Sequence, residues 1–217
     1  MKPFISASLL LLTAPVIAGD YMAGEDQSPV INGCVLEPQT QCVDANLQGA
    51  DLSNMDLRGA NFKGADLSGA NLNHTSLRAA NLDGANLDNI TGYRLQAYRA
   101  SMRGAKVRNA KLQGMQGEYL FAQGTDFSGS DLTGANFDFS RFAGAKLQGS
   151  NLSFSSFEIA WLPKADFQGA DLRGANLQEA KLGLANLAQA NLTDSRIHYA
   201  TFEGTYMEGC TGCPFDW

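Results

Sequence analysis

Large apolar side chains recur at every fifth residue over most of this chain. In the run from Gly59 to Leu72 they are Phe62, Leu67 and Leu72, and Ala60, Ala65 and Ala70 stand two places before them. A helix repeats at 3.6 residues and a strand at 2, so neither alone carries a period of five. With the frame set at Ala45, 33 consecutive pentapeptides run to Gly209 without insertion or deletion. The third residue is large and apolar in 29 of the 33, and the first is Ala, Ser or Thr in 28. A disordered low-complexity segment has no reason to keep such a frame. Small and large trade places at four third positions: Gly92, Ala97, Gly117 and Ala122 follow Ile90, Leu95, Met115 and Leu120 at the first. A packed interior demands that exchange, because a lost side chain leaves a cavity unless another fills it. The first and third residues therefore share one interior, while the second, fourth and fifth face outward.

A short extended piece with two inward side chains, followed by a turn, uses five residues. Four such pieces close a square, and the chain then climbs by one strand spacing of about 4.8 Å. Gly at the fifth position, as in Gly49, Gly59, Gly64 and Gly69, suits the turns.

The pattern A-[DN]-L-x-G, in runs such as Ala65-Asp66-Leu67-Ser68-Gly69 and Ala175-Asn176-Leu177, resembles the pentapeptide-repeat family. The resemblance covers 165 of the 199 residues that follow Ala18. It implies an all-β fold, a right-handed quadrilateral β-helix (a β-solenoid), here of about eight coils with short terminal caps. It says little about activity, since a fold does not determine a function.

The first eighteen residues read differently. Met1 and Lys2 precede an apolar run through Leu9, Leu10, Leu11 and Leu12, and Val16-Ile17-Ala18 offers the small residues of a cleavage site. This pattern predicts a secretory signal cut after Ala18. The run is too short to span a bilayer, so no integral membrane segment is expected after cleavage. The predicted organisation is residues 1–18 signal, 19–44 N-terminal tail and cap, 45–209 repeats and 210–217 C-terminal cap. Export predicts a periplasmic or extracellular location. A thylakoid lumen fits equally, since members of the resembled family occur there.

Four cysteines flank the repeats. Eight coils would separate the ends by roughly 40 Å, whereas a disulfide needs Cα atoms within about 7 Å. The expected pairs are Cys34–Cys42 and Cys210–Cys213, each stapling a cap in an oxidising compartment. Cys210-Thr211-Gly212-Cys213 is also a CxxC, and a redox dithiol or metal-handling site is the alternative reading. Such motifs usually open a helix beside a βαβ unit, which nothing here predicts.

No catalytic constellation stands out, and neither an enzyme nor a cofactor is expected. His74 and His198 fall at outward positions on different coils. Asp51, Asp56, Asn61, Asp66 and Asn71, at second positions, read as hydrated walls and side-chain ladders, with a Ca²⁺ ladder as the alternative.

Two outward features remain. Positions 20 apart stack in columns, so Tyr119, Phe139, Ile159 and Tyr199 align beside Phe121 and Trp161. This predicts an apolar stripe suited to a protein partner or a homodimer. The competing readings are a stabilising aromatic ladder or cover by the tail Pro214-Phe215-Asp216-Trp217. Between Asn89 and Gly117 lie six bases and no acid: Arg94, Arg99, Arg103, Lys106, Arg108 and Lys111. The frame spreads them around all four sides as a belt, whereas a nucleic-acid surface gathers them on one face. The belt reads as a solvated surface or an anion-binding one. A glycan reader using Arg99 and Arg103 would be its specific form.

Members of the resembled family include topoisomerase-binding proteins that confer quinolone resistance by imitating the charge of duplex DNA. Three features run against that role here: expected export, no projecting loop, and a nearly neutral body. The formal net charge is -6, yet residues 45–209 hold 15 bases and 16 acids. A DNA mimic needs a strongly negative surface. The reading is therefore a non-enzymatic exported scaffold or interaction module that binds no nucleic acid.

Overall fold

The structure, a computed structural model, describes residues 28–214. The expected signal segment and residues 215–217 of the tail lie outside the described residues.

The five-residue frame is a hydrogen-bonding unit. Each second-position residue forms a parallel bridge with the residue 20 places on, from Gln41↔Asn61 to Asn191↔Thr211, so four bridge columns rise together. Around Leu67 the pairing runs as follows. The third-position N–H of Leu47 donates to the second-position carbonyl of Asp66 (2.7 Å), and the N–H of Asp66 donates back to the first-position carbonyl of Ala45 (2.9 Å). The fifth-position N–H of Gly49 donates to Ser68 (2.9 Å), and the N–H of Ala50 closes a turn on Leu47 (3.1 Å). The ladder thus consumes four of the five N–H groups. The fourth has no main-chain acceptor in that scheme, and the second-position side chain takes it: the Ser68 N–H donates to Asp66 Oδ1 (3.0 Å) and the Ser128 N–H to Asp126 Oδ1 (3.1 Å). An unpaired N–H is costly where water cannot reach it, and Asx side chains reach two residues on with ease. That geometry explains the Asp and Asn bias, which hydration alone does not. The ladder expectation holds beside it: Asn71 Nδ2 donates to Asp51 Oδ1 and Asn86 Nδ2 to Asp66 Oδ1, both at 3.0 Å.

First and third residues line the core as the volume exchange demanded. Ile90, Leu95, Met115 and Leu120 are buried at first positions, as are Ala97 and Ala122 at third positions. Gly117 shows the reason. A Cβ there would lie 2.9 Å from Phe137 Cδ1, one coil on. The missing side chain makes room for a ring that packs on Phe142 and Phe157, both at 5.1 Å between centroids. Several core hydroxyls bond main-chain carbonyls: Thr75 Oγ1 donates to Leu52 O (2.7 Å) and Ser130 Oγ to Val107 O (2.6 Å).

Both ends are closed by a disulfide. At the N-terminal end β1 (Val30–Ile31) and β2 (Cys34–Val35) form an antiparallel hairpin. Asn32 and Gly33 turn it with φ of 49° and 82°. Two positive φ values match the twist that a two-residue hairpin loop needs. Asn32 Nδ2 ties the hairpin to the first coil through Asn46 O (2.8 Å). Cys34 bonds Cys42, with Cα atoms 5.4 Å apart. An antiparallel cap cannot extend a parallel ladder, so it blunts the open edge. At the other end Cys210 bonds Cys213, with Cα atoms 5.8 Å apart. Between them Gly212, at φ +71°, lies so close to the main chain of Leu192 and Thr193 that a Cβ would sit 2.7 Å from the Thr193 nitrogen.

Candidate functional site

Surface chemistry in this fold is set by the corners. Every fifth position from Gly49 to Gly209 has positive φ, whether or not it is glycine. A residue with a Cβ costs roughly 1–2 kcal/mol more there than glycine does. Three corners meet the demand with glycine often, as at Gly64, Gly84, Gly104, Gly124 and Gly144 in one column. The fourth does not. Its fifth positions run Gln39, Gly59, Ala79, Arg99, Tyr119, Phe139, Ile159, Glu179 and Tyr199, with a single glycine. Ile159 is β-branched, a type that rarely tolerates this conformation.

This corner carries most of the expected apolar stripe. Tyr119 and Phe139 stack, with centroids 5.0 Å apart and planes 9° from parallel, and Tyr98 meets Tyr119 edge-on at 5.6 Å. Phe139, Ile159 and Trp161 line a concavity of about 450 Å³ with Arg141. These side chains stay well exposed, from 40% for Tyr119 to 53% for Trp161. Phe121 and Tyr199 stand apart from the rest. Phe121 is half-buried beneath two guanidinium groups, Arg103 at 4.7 Å and Arg141 at 5.5 Å from its ring. Tyr199 is separated from Ile159 by Glu179 and packs on His198 at 3.7 Å. Two exposed apolar side chains outside the stripe, Phe154 and Leu184, shield the glycines one coil on, Gly174 and Gly204.

Two of the six bases, Arg103 and Arg108, pair with acids that precede them by one coil. Arg108 pairs with Asp88 through two guanidinium nitrogens, and its own N–H donates to the same carboxylate at 2.9 Å. Arg103 Nη1 lies 3.6 Å from Asp83. The main chains of Lys106 and Lys111 pair with those of Asp126 and Asp131 one coil on, which stacks opposite charges in the same columns. Arg94 lies over Tyr93 at 5.4 Å, and Arg99 over Tyr98 and Tyr119 at 5.2 and 5.6 Å. The side chain of Arg108 holds the Asp88 carboxyl below the usual carboxylate range, and Arg58 and Arg173 do the same for Asp56 and Asp171.

His74 meets Tyr93 edge-on at 5.5 Å. Among the described residues no three His, Cys, Asp or Glu side chains gather as a metal site. No helix among them is long and apolar enough to cross a membrane. Cys210 and Cys213 are both buried and bonded to each other.

Several solved structures are similar to this chain. QnrB1, a plasmid-mediated fluoroquinolone resistance protein, aligns in a trypsin-treated form at 22% identity over 77% of this chain and 88% of its own, with a TM-score of 0.54. HetL, a pentapeptide repeat protein involved in heterocyst differentiation regulation in the cyanobacterium Nostoc sp. strain PCC 7120, aligns at 26% identity over 78% and 89%, with a TM-score of 0.45. A pentapeptide repeat protein of the Arabidopsis thaliana thylakoid lumen aligns at 22% over 46% and 66%, with a TM-score of 0.37. No curated protein matches the chain. The family model described as pentapeptide repeats matches in eight copies, over residues 40–78, 75–114, 122–149, 150–187 and 170–209. With the frame, the 20-residue bridge lattice and this match in agreement, the chain belongs to the pentapeptide-repeat family, whose fold is a right-handed β-helix.

Proposed function

We propose that this protein is a non-enzymatic exported scaffold that docks a protein partner, or a second copy of itself, along the corner from Tyr119 to Trp161. The body is read as a closed quadrilateral of about eight coils, a rigid rod that presents one sticky edge. One observation carries the reading. This corner places Tyr119, Phe139 and Ile159 where the backbone favours glycine, yet leaves them exposed. Contacts within the chain cover these side chains only in part, with 40–44% of each still exposed, and strained, exposed bulky residues cluster at functional surfaces.

The near balance of charge in the repeats favours such docking over imitation of duplex DNA. The buried, bonded Cys210 and Cys213 favour a staple over a redox dithiol, whose attacking thiolate must be accessible. Export rests on the N-terminal apolar run and on the paired cysteines at both caps.

The test is light scattering and affinity capture from the exported fraction, using the oxidised chain from Gly19. We expect self-association or a captured partner, lost together in Phe139→Asp with Trp161→Asp while the circular dichroism stays unchanged. Retention of every partner by the folded double variant would overturn the assignment.

A further inference from the structure

The same corner changes character toward the N-terminal end. There the fifth positions shrink to Gly59 and Ala79, and a groove of about 580 Å³ opens over them. Its walls are Pro38, Arg58, Arg78, Tyr98 and Arg99. Arg78 and Arg99 lie over the Tyr98 ring at 5.1 and 5.2 Å. Neither makes an ion pair among the described residues. A guanidinium stacked on a ring keeps its N–H edge free for a carboxylate. The residues lining the groove include no acid, and three acids near it in the chain are engaged: Asp56 holds Arg58 at 2.7 Å, Glu37 accepts from Ser28 Oγ at 3.1 Å, and Glu118 accepts from Asn136 Nδ2 at 3.2 Å.

We propose that the acidic segment 19–27 of this chain occupies the groove, with its carboxylates on Arg78 and Arg99. The segment reads Gly-Asp-Tyr-Met-Ala-Gly-Glu-Asp-Gln, with Asp20, Glu25 and Asp26 and no base. It is tethered at the groove's mouth. Ser28 bonds Glu37, the Leu36 N–H donates to Pro29 O at 2.7 Å, and Pro38 is already part of the wall. Nine residues reach up to about 30 Å, and the groove from Gly59 to Arg99 rises two coils, about 10 Å. A tether this short gives an effective concentration of about millimolar, so a weak pairing suffices to fill the site. Ring-stacked arginines that select carboxylates explain why this end of the corner lacks the exposed aromatics of the other end.

The test uses the chain from Gly19, carrying a paramagnetic label on its α-amino group, with amide signals as the readout. The label should broaden Gly59, Ala79 and Tyr98 and spare the other three corners. Broadening should vanish in about 1 M salt, where screening acts within roughly 3 Å. It should vanish equally in Arg78→Ser with Arg99→Ser, and in Asp20→Asn with Glu25→Gln and Asp26→Asn, substitutions that lie outside the coil and leave it folded. Broadening centred on another corner, or none in the groove, would overturn the proposal. So would broadening seen only between labelled and unlabelled copies, which would make the occupant a second molecule. Because the label starts at Gly19 and the stretch from Tyr119 to Trp161 is untouched, failure here leaves the docking function and its own test standing.

Discussion

At the scale of single residues, the chain is governed by volume inside and by φ at the corners. The exchange at Gly117 and Met115 was legible in the sequence because a frame with no insertion makes every third position comparable with every other. Its geometric cause was not legible, since Phe137 lies 20 residues away and meets Gly117 only through the coil. Gly117→Ala should therefore destabilise the protein by about 1–3 kcal/mol, the usual cost of overpacking a filled core, read as a lower urea midpoint with unchanged slope. A midpoint equal to the parent's would mean that Phe137 can move aside. Asp and Asn at second positions form ladders, as their recurrence 20 residues apart implies. Their second task, accepting the fourth-position N–H, follows only from an account of which main-chain groups the ladder leaves over.

At the scale of the repeating element and its caps, stability is local. Each coil touches only its neighbours, so a repeat protein loosens from its ends inward. The Cys34–Cys42 link closes a loop of eight residues' separation and contributes about 2–3 kcal/mol by restricting the unfolded chain. Reduction should speed amide exchange in the first coils, near Leu47, and in the last, near Leu192, and leave Leu120 protected. Uniform acceleration along the whole chain would show that the coil unfolds as one unit. The N-terminal hairpin was missed by the sequence reading, although Asn32-Gly33 between apolar residues is a strong short-range hairpin signal. The five-residue frame does not extend to residues 30–35, so the periodicity carries no information about them.

At the scale of the whole molecule, charges meet across coils. The six bases between Asn89 and Gly117 look unopposed along the chain, yet Asp83 and Asp88 reach Arg103 and Arg108 from one coil earlier. The arginine pairing that depresses Asp56, Asp88 and Asp171 makes a pH prediction. A depressed folded-state pKa adds stability that is complete above the unfolded carboxylate value of about 4 and is lost as pH falls below it. The melting temperature should hold from neutral pH down to about 5 and then drop. Asp88→Asn should lower it at pH 7, and the difference from the parent should shrink as acid protonates the Asp88 carboxylate; a drop that stays constant from neutral to strongly acid pH would refute the ion pair as the cause. The sequence alone determined the coil, the inward and outward positions, the columns and the cysteine pairs, because a strict period turns each residue number into a place on the solenoid. Only the tertiary structure decided which side chains in a column touch and which stand free. Arg103 and Arg141 cover Phe121, Glu179 separates Tyr199 from Ile159, and Arg78 with Arg99 brackets Tyr98. Those outcomes depend on rotamers and on packing between residues about 20 positions apart, which a period can align but cannot orient.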